Sequence, residues 1–324
     1  MERFAFLVYR LSIMSINQIR KKGGSYMHRL FEKRRSVREY KARAVDQSLI
    51  NDLIETIKSK PGLVEGIDIE FVFLKEGEKI HGMLDGQVGY YGKLIEAPHY
   101  FAVLSENKKG SLMNAGYMVE RFNLMATDMG LGTCTIEVPE DTAEIKETLG
   151  IGSEMDLMVL LALGYAKKER KVSNIYDTML KGSLSPLTEL GYPEIDPEYS
   201  KEPVSSRLAV DEIVFIGEWG AKVDMEELQR RGVDEVFYYM RLAPSWGNRQ
   251  PWRFILDGTR IALLMQSGCQ GISGKIEKIE AGIAMLYLEL AMAEKGMSGS
   301  WSIDGGNNDY KLPEDYYVVG YFES

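Results

Sequence analysis

Apolar residues recur along this chain in segments that come in matching pairs. Ile50, Leu53, Ile54 and Ile57 follow the i, i+3, i+4, i+7 spacing of one buried helix face. Val233, Val236, Phe237 and Met240 repeat that spacing 183 positions later, and Pro61 and Pro244 follow at the same offset. A second pair of helices is predicted from Gly116 and Gly282, 166 apart. Met118, Phe122, Met125 and Met129 mark the face of one, and Met285, Leu288 and Met292 that of the other. Gly130 and Gly296 are read as their C-terminal caps, followed by GLGTC (130–134) and GMSGS (296–300). LALGYA (161–166) and YVVGYF (317–322) read as equivalent strands at an offset of 156. The shrinking offset points to deletions between elements of a diverged duplication. Two such halves are expected to pack as a homodimer does, about a pseudo-twofold axis.

Prolines mark the boundary between the halves. Pro186, Pro193, Pro197 and Pro203 place four of the chain's 10 prolines in one polar stretch without helix or strand period. The expected organisation is an N-terminal extension over 1–26, a first half over 27–181, a linker or arm over 182–212, and a second half over 213–324. Residues 3–14 (FAFLVYRLSIMS) are apolar but broken by Arg10, shorter than the ~20 residues a span needs. No small-residue cleavage site follows them. They are read as an extension, with Met27 as the natural beginning.

Composition narrows the chemistry. The 324 residues are 45% hydrophobic and 27% charged, enough apolar chain for a sizeable core. A net charge of −9 argues against a nucleic-acid partner, which demands a basic face. Two cysteines, Cys134 and Cys269, make no disulfide framework or four-cysteine zinc site and suit a reducing, cytoplasmic setting. Three histidines leave little for zinc hydrolysis or a histidine triad. No metal and no membrane partner are expected.

Two strings carry candidate chemistry. Lys33-Arg34-Arg35-Ser36-Val37-Arg38, read as lying just before a helix, offers planar guanidinium donors and a compact hydroxyl matched to phosphate oxygens. Taken alone it reads more readily as a solvated basic turn. The segment from Ala243 to Phe254 (APSWGNRQPWRF) is more particular. Its prolines and glycine set a rigid non-helical path. Its Asn and Gln amides offer the paired donor and acceptor that reading a heterocycle edge requires.

With these strings, the chain resembles the FMN-dependent nitroreductases, whose members carry an Arg-[Arg/His]-Ser-x-[Arg/Lys] motif and then Ala-Pro-Ser-x-x-Asn-x-Gln-Pro-Trp. Within that family it is most similar to the single-chain type that holds both half-units, and the likeness runs from about Met27 to the C-terminus. The resemblance implies an α+β, nitroreductase-like fold: two tandem α+β half-units forming a pseudodimer, with antiparallel-rich sheets and flanking helices. FMN would lie at the interface, the basic motif coming from one half and the proline–serine–asparagine loop from the other. At the 183 offset, Arg34–Arg38 align with Gly217-Glu218-Trp219-Gly220-Ala221, which has no cation. Pro244–Asn248 align with Pro61-Gly62-Leu63-Val64-Glu65, which lacks the serine and asparagine. One complementary site survives, so one FMN per chain is expected in a monomer.

The resemblance also implies roles. Arg34 and Ser36 would hold the FMN phosphate, Arg35 would sit near the ribityl chain, and Arg38 near N1 and O2 of the ring. A cation there suits the negative charge that reduction leaves. Arg170 and Lys171 would be further phosphate ligands, although KKERK equally fits a solvated charge run. Lys93 would reach the pyrimidine edge, while Tyr90 departs from the family's asparagine. Thr135-Ile136-Glu137 resembles the segment whose backbone N–H meets flavin N5. Pro244, Ser245, Trp246 and Asn248 would border the flavin from across the interface, with Gln250 locking the loop and Trp252 in the core. No titrating catalytic residue is implied. Arg38 and the Glu137 backbone are the candidates for tuning the flavin. The function implied is an oxidoreductase taking hydride from NADH or NADPH and reducing nitroaromatics, quinones or similar small molecules. The alternatives are a non-catalytic flavin-binding or sensor protein and another flavin reaction such as reductive dehalogenation.

Overall fold

The chain alternates helix and strand in each half, and two long apolar helices join the halves. The computed structural model describes residues 26–89, 92–167, 207–269, 273–303 and 309–323. Residues 1–25 of the expected extension over 1–26, together with Tyr90, Arg170, Lys171 and the four clustered prolines, lie outside the described residues. The first half runs α1 (Tyr26–Lys33), α2 (Gln47–Lys58), β1 (Ile69–Leu74), α3 (Gly77–Leu84), β2 (His99–Ser105), α4 (Ser111–Asp128), β3 (Gly132–Glu137), α5 (Ala143–Thr148) and β4 (Asp156–Gly164). The second runs α6 (Val210–Ile213), β5 (Val214–Ile216), α7 (Met225–Arg231), α8 (Asp234–Met240), β6 (Trp252–Asp257), β7 (Arg260–Gln266), α9 (Gly274–Glu294), β8 (Ser300–Ser302) and β9 (Tyr316–Glu323).

Sheet order follows the same plan twice: β1-β2-β4-β3 in one sheet and β5-β6-β7-β9-β8 in the other. All pairs are antiparallel except β5 with β6. The two inner strand pairs share an irregularity, between Val103 and Leu104 and between Leu263 and Leu264. The LALG of LALGYA falls on β4 and YVVGYF on β9, as their patterns predict. The mixed α+β architecture of antiparallel-rich sheets and helices matches expectation. The first half spends extra chain on α3 and α5, whose Ile80, Leu84 and Ile145 cover the outer face of its sheet against Tyr100, Leu104 and Leu160. Among its described residues the second has neither helix, in keeping with the shrinking offset.

The main core lies between the sheets, where α4 and α9 cross. Gly116 and Gly282 sit inside these helices, not at their openings as the pattern suggested. A Cβ on Gly116 would strike the carbonyl of Ile279, and one on Gly282 would strike that of Met113. The contact is reciprocal, since Ile279 stands 166 positions after Met113, as Gly282 does after Gly116. Both helices then end on a left-handed glycine, Gly130 at φ 78° and Gly296 at φ 79°. In each case the next N–H reaches back five residues, Leu131 to Ala126 O (2.9 Å) and Met297 to Met292 O (3.0 Å).

Candidate functional site

The basic motif is positioned from both ends. Met27, Leu30 and Phe31 bury one face of α1, and the chain then leaves the helix at Arg34. The string therefore follows a helix, and the next begins only at Gln47. Ser36 bridges Thr133 of β3, with Val37 N–H donating to Thr133 O at 2.8 Å. Val37 packs where a Cβ on Gly132 would otherwise stand. Lys41 N–H then donates to Tyr165 O, so residues 36–41 run beside the ends of β3 and β4.

Four polar side chains of the motif part company here. Arg34 turns inward, placing Nε 2.7 Å and Nη2 3.3 Å from the carboxylate oxygens of Glu120 on α4. Side-chain exposures of 6% and 0% make this a buried ion pair. Burial lifts the Glu120 carboxyl above its ordinary value against the pull of Arg34. Arg35 and Arg38 are exposed and Ser36 is half-buried. Ser36 meets the buried thiol of Cys134, and burial raises that thiol's pKa against the pull of Arg38 and Arg34. Cys134 is thus a core residue.

Edge strand β3 supplies the floor. Strand alternation turns the N–H and C=O of Thr133, Thr135 and Glu137 outward, away from β4. Thr133 O accepts from Val37 and Glu137 O from Gly89. The outward N–H groups of Thr135 and Glu137 have no backbone partner among the described residues. Ile136 is buried against β4. The Gly89 hydrogen bond also draws the turn carrying Lys93 to the far end of β3, with Lys93 half-buried.

The second half contributes its loop through α9. After α8 the chain makes a tight turn over Trp246–Asn248, with Gly247, Asn248 and Gln250 at φ 57°, 58° and 51°. Gln250 locks it, as expected: its N–H donates to Ser245 Oγ (2.9 Å), its Oε1 accepts from Leu208, and its Nε2 donates to Arg241 O. Pro244, Ser245, Trp246 and Asn248 are all partly exposed. Arg249 stacks over the Trp246 ring at 5.2 Å, and Trp252 is fully buried. Trp246 N–H donates to Glu280 of α9. At the start of α9, Ser273 donates to Glu137 Oε1 at 3.1 Å and caps the helix by accepting from Ile276 N–H. Loop, α9 and β3 are thereby joined. The motifs also approach from behind: Arg207 donates to the carbonyls of Arg241 and Ala243 and acts electrostatically on Arg34 and Tyr287.

Gly217–Ala221 do not occupy the place that Arg34–Arg38 hold in the first half. They follow β5 at the other side of their sheet, with Trp219 against Tyr316 at 4.3 Å. The constant offset fails there because the chain before α8 takes a different route. Loop 61–65 does match loop 244–248 in position, between the corresponding helix and strand.

Sequence patterns passed over Glu120 and Glu280. The available signal was a carboxylate inside an apolar helix stripe, as in Ile276, Ile279, Glu280 and Ile283. Arg207 carried no such signal. Among the described residues no cluster suits a metal ion, and no helix is long and apolar enough to cross a membrane.

A family model described as "Putative TM nitroreductase" matches residues 27–209, more than half of the chain. The chain belongs to this nitroreductase family. Among solved structures, a "putative nitroreductase" from Thermotoga maritima shares its fold at TM-score 0.52 and 16% identity, over 90% of this chain and 93% of that one. An FMN-dependent nitroreductase from Clostridium difficile R20291 is 23% identical at TM-score 0.39, over 48% of this chain and 97% of its own. A nitroreductase with bound FMN from Bacteroides fragilis NCTC 9343 is 20% identical at TM-score 0.37, over 46% and 96%. No curated protein matches the chain.

Proposed function

We propose that this nitroreductase-family member is an FMN-dependent oxidoreductase with one flavin site built from both halves. The observation that carries the reading is that β3 is tied to both motifs, to one directly and to the other through α9. The basic string bridges Thr133 at one end, and the loop at 244–248 reaches Glu137 through Glu280, α9 and Ser273 at the other. In this reading two electrons pass from NADH or NADPH to a nitroaromatic, quinone or similar small acceptor. The two halves are read as diverged copies of one unit, so the chain acts as a monomer.

The donor set fits the cofactor. Exposed Arg35 and Arg38 and half-buried Ser36 offer hydrogen-bond donors, matched to a phosphate and to the electron-rich pyrimidine edge. Arg34 is engaged by Glu120 and so supports the turn that presents them. The outward N–H groups of Thr135 and Glu137 suit an acceptor such as flavin N5, and Lys93 stands near the same strand end. Trp246 and Asn248 close the site from the second half. FMN, when bound, supplies the redox chemistry. The protein's part is to orient the ring, hold a cation at Arg38 where charge gathers, and exclude water with Trp246.

A visible spectrum of the purified protein with flavin stoichiometry tests this. One FMN per chain, bleached by NADH or NADPH and restored by an acceptor, is the expected result. Two per chain overturn the single shared site, and a colourless protein that FMN fails to reconstitute overturns the flavin reading. Binding without turnover favours the sensor alternative.

A further inference from the structure

Asn114 and Glu280 hold the same place in the two halves. Each precedes by two residues the glycine at which α4 and α9 touch. Each accepts a backbone N–H from the loop between helix and strand: Leu63 to Asn114 Oδ1 at 2.8 Å, and Trp246 to Glu280 Oε1. Leu63 and Trp246 are themselves 183 positions apart. The difference lies in the side chain, because an amide stays neutral and a carboxyl does not. Glu280 is 3% exposed, and its Oε2 is buried with no partner among the described residues. Around it stand Glu137 of β3, Glu277 of its own helix and Arg249 of the loop.

We propose that Glu280 is the positioning residue of the 244–248 loop, setting where the second half presents Trp246 and Asn248 to the shared site. This rests on the flavin reading only for what the loop would touch; the hydrogen bond stands without it. Burial, against the pull of the Trp246 N–H and with Glu137 and Glu277 adding to it, pushes the Glu280 carboxyl up to about 8. The group is therefore neutral near pH 7. Ionised, it becomes a buried carboxylate with one N–H to satisfy it, two acidic side chains near and Arg249 as the facing cation. Hydration relieves that charge, and water reaches Oε1 when the loop leaves α9.

The test is amide exchange by mass spectrometry on the full chain as purified, following the loop at 244–250 against β6 as a folding reference. Glu280→Leu removes the acceptor and raises loop exchange at pH 7 by about tenfold or more, with β6 protection unchanged. Glu280→Gln keeps an acceptor, restores loop protection, and abolishes the loosening that wild type shows between pH 7 and 9 after correction for intrinsic exchange. Asn114→Leu loosens 63–64 and leaves 244–250 as in wild type. Unchanged loop protection in Glu280→Leu, or a persisting pH dependence in Glu280→Gln, overturns the proposal. Flavin content of the same samples separates the two readings. A flavin-free wild type with the expected exchange pattern sinks the function and leaves the positioning role standing.

Discussion

Arg34 and Arg38 lie on one turn of chain and face opposite environments. Arg34 neutralises Glu120 in the core, so Arg34→Ala leaves a bare buried carboxylate and costs about 3–5 kcal/mol. Arg34→Met combined with Glu120→Leu removes both charges and costs much less; urea unfolding of the two variants checks the contrast. Exposed Arg38 has no such burden. Arg38→Ala leaves the unfolding midpoint within about 0.5 kcal/mol of wild type and weakens FMN binding roughly tenfold or more, read by flavin titration. Glu280 adds a pH term. Its carboxyl is raised from 4.5 to about 8, so the folded state holds the proton more tightly than the unfolded one. That stability is complete below about pH 4.5 and is lost as the pH climbs to about 8. Glu280→Gln removes this slope, at most on the order of 4 kcal/mol across the window; unfolding at pH 5 and pH 8.5 measures it.

The helix pair α4 and α9 depends on two missing side chains. Gly116→Ala and Gly282→Ala each drive a methyl into a facing carbonyl, so each is expected to cost about 3 kcal/mol or more. Unfolding midpoints below that loss count against the tight crossing. The helices themselves were legible from their apolar stripes and terminal glycines. Gly116 and Gly282 were misread as openings because a glycine in an apolar run resembles punctuation. Only the crossing shows that the missing Cβ is the point. The 244–250 loop was readable in the same way: its Pro, Gly and Gln predicted a locked turn, and Gln250 locks it.

On the scale of the molecule, the basic motif bridges strand β3 directly, and the 244–248 loop is tied to the same strand through Glu280, α9 and Ser273. In the proposed reading a single chain suffices for the site, and light scattering is expected to give a mass near 36.7 kDa with one flavin. A dimer carrying one flavin between two chains contradicts that arrangement. Asn248→Ala and Arg38→Ala lie in different halves, yet both are expected to weaken FMN binding. An unchanged affinity in either variant counts against a site shared between them.

The sequence by itself determined the periodic elements, the helix-ending glycines, the α+β class and the two motif strings. These depend on local spacing and on residue types that few backbones tolerate. The tertiary structure decided what crosses between distant segments. Arg34 went to Glu120, 217–221 went to the other side of their sheet, and Asn114 and Glu280 became counterparts. Such outcomes depend on which faces meet and how closely. A carboxylate inside an apolar stripe announces that something must answer it, but only the packed fold shows that the answer is an arginine for Glu120 and a loop amide for Glu280.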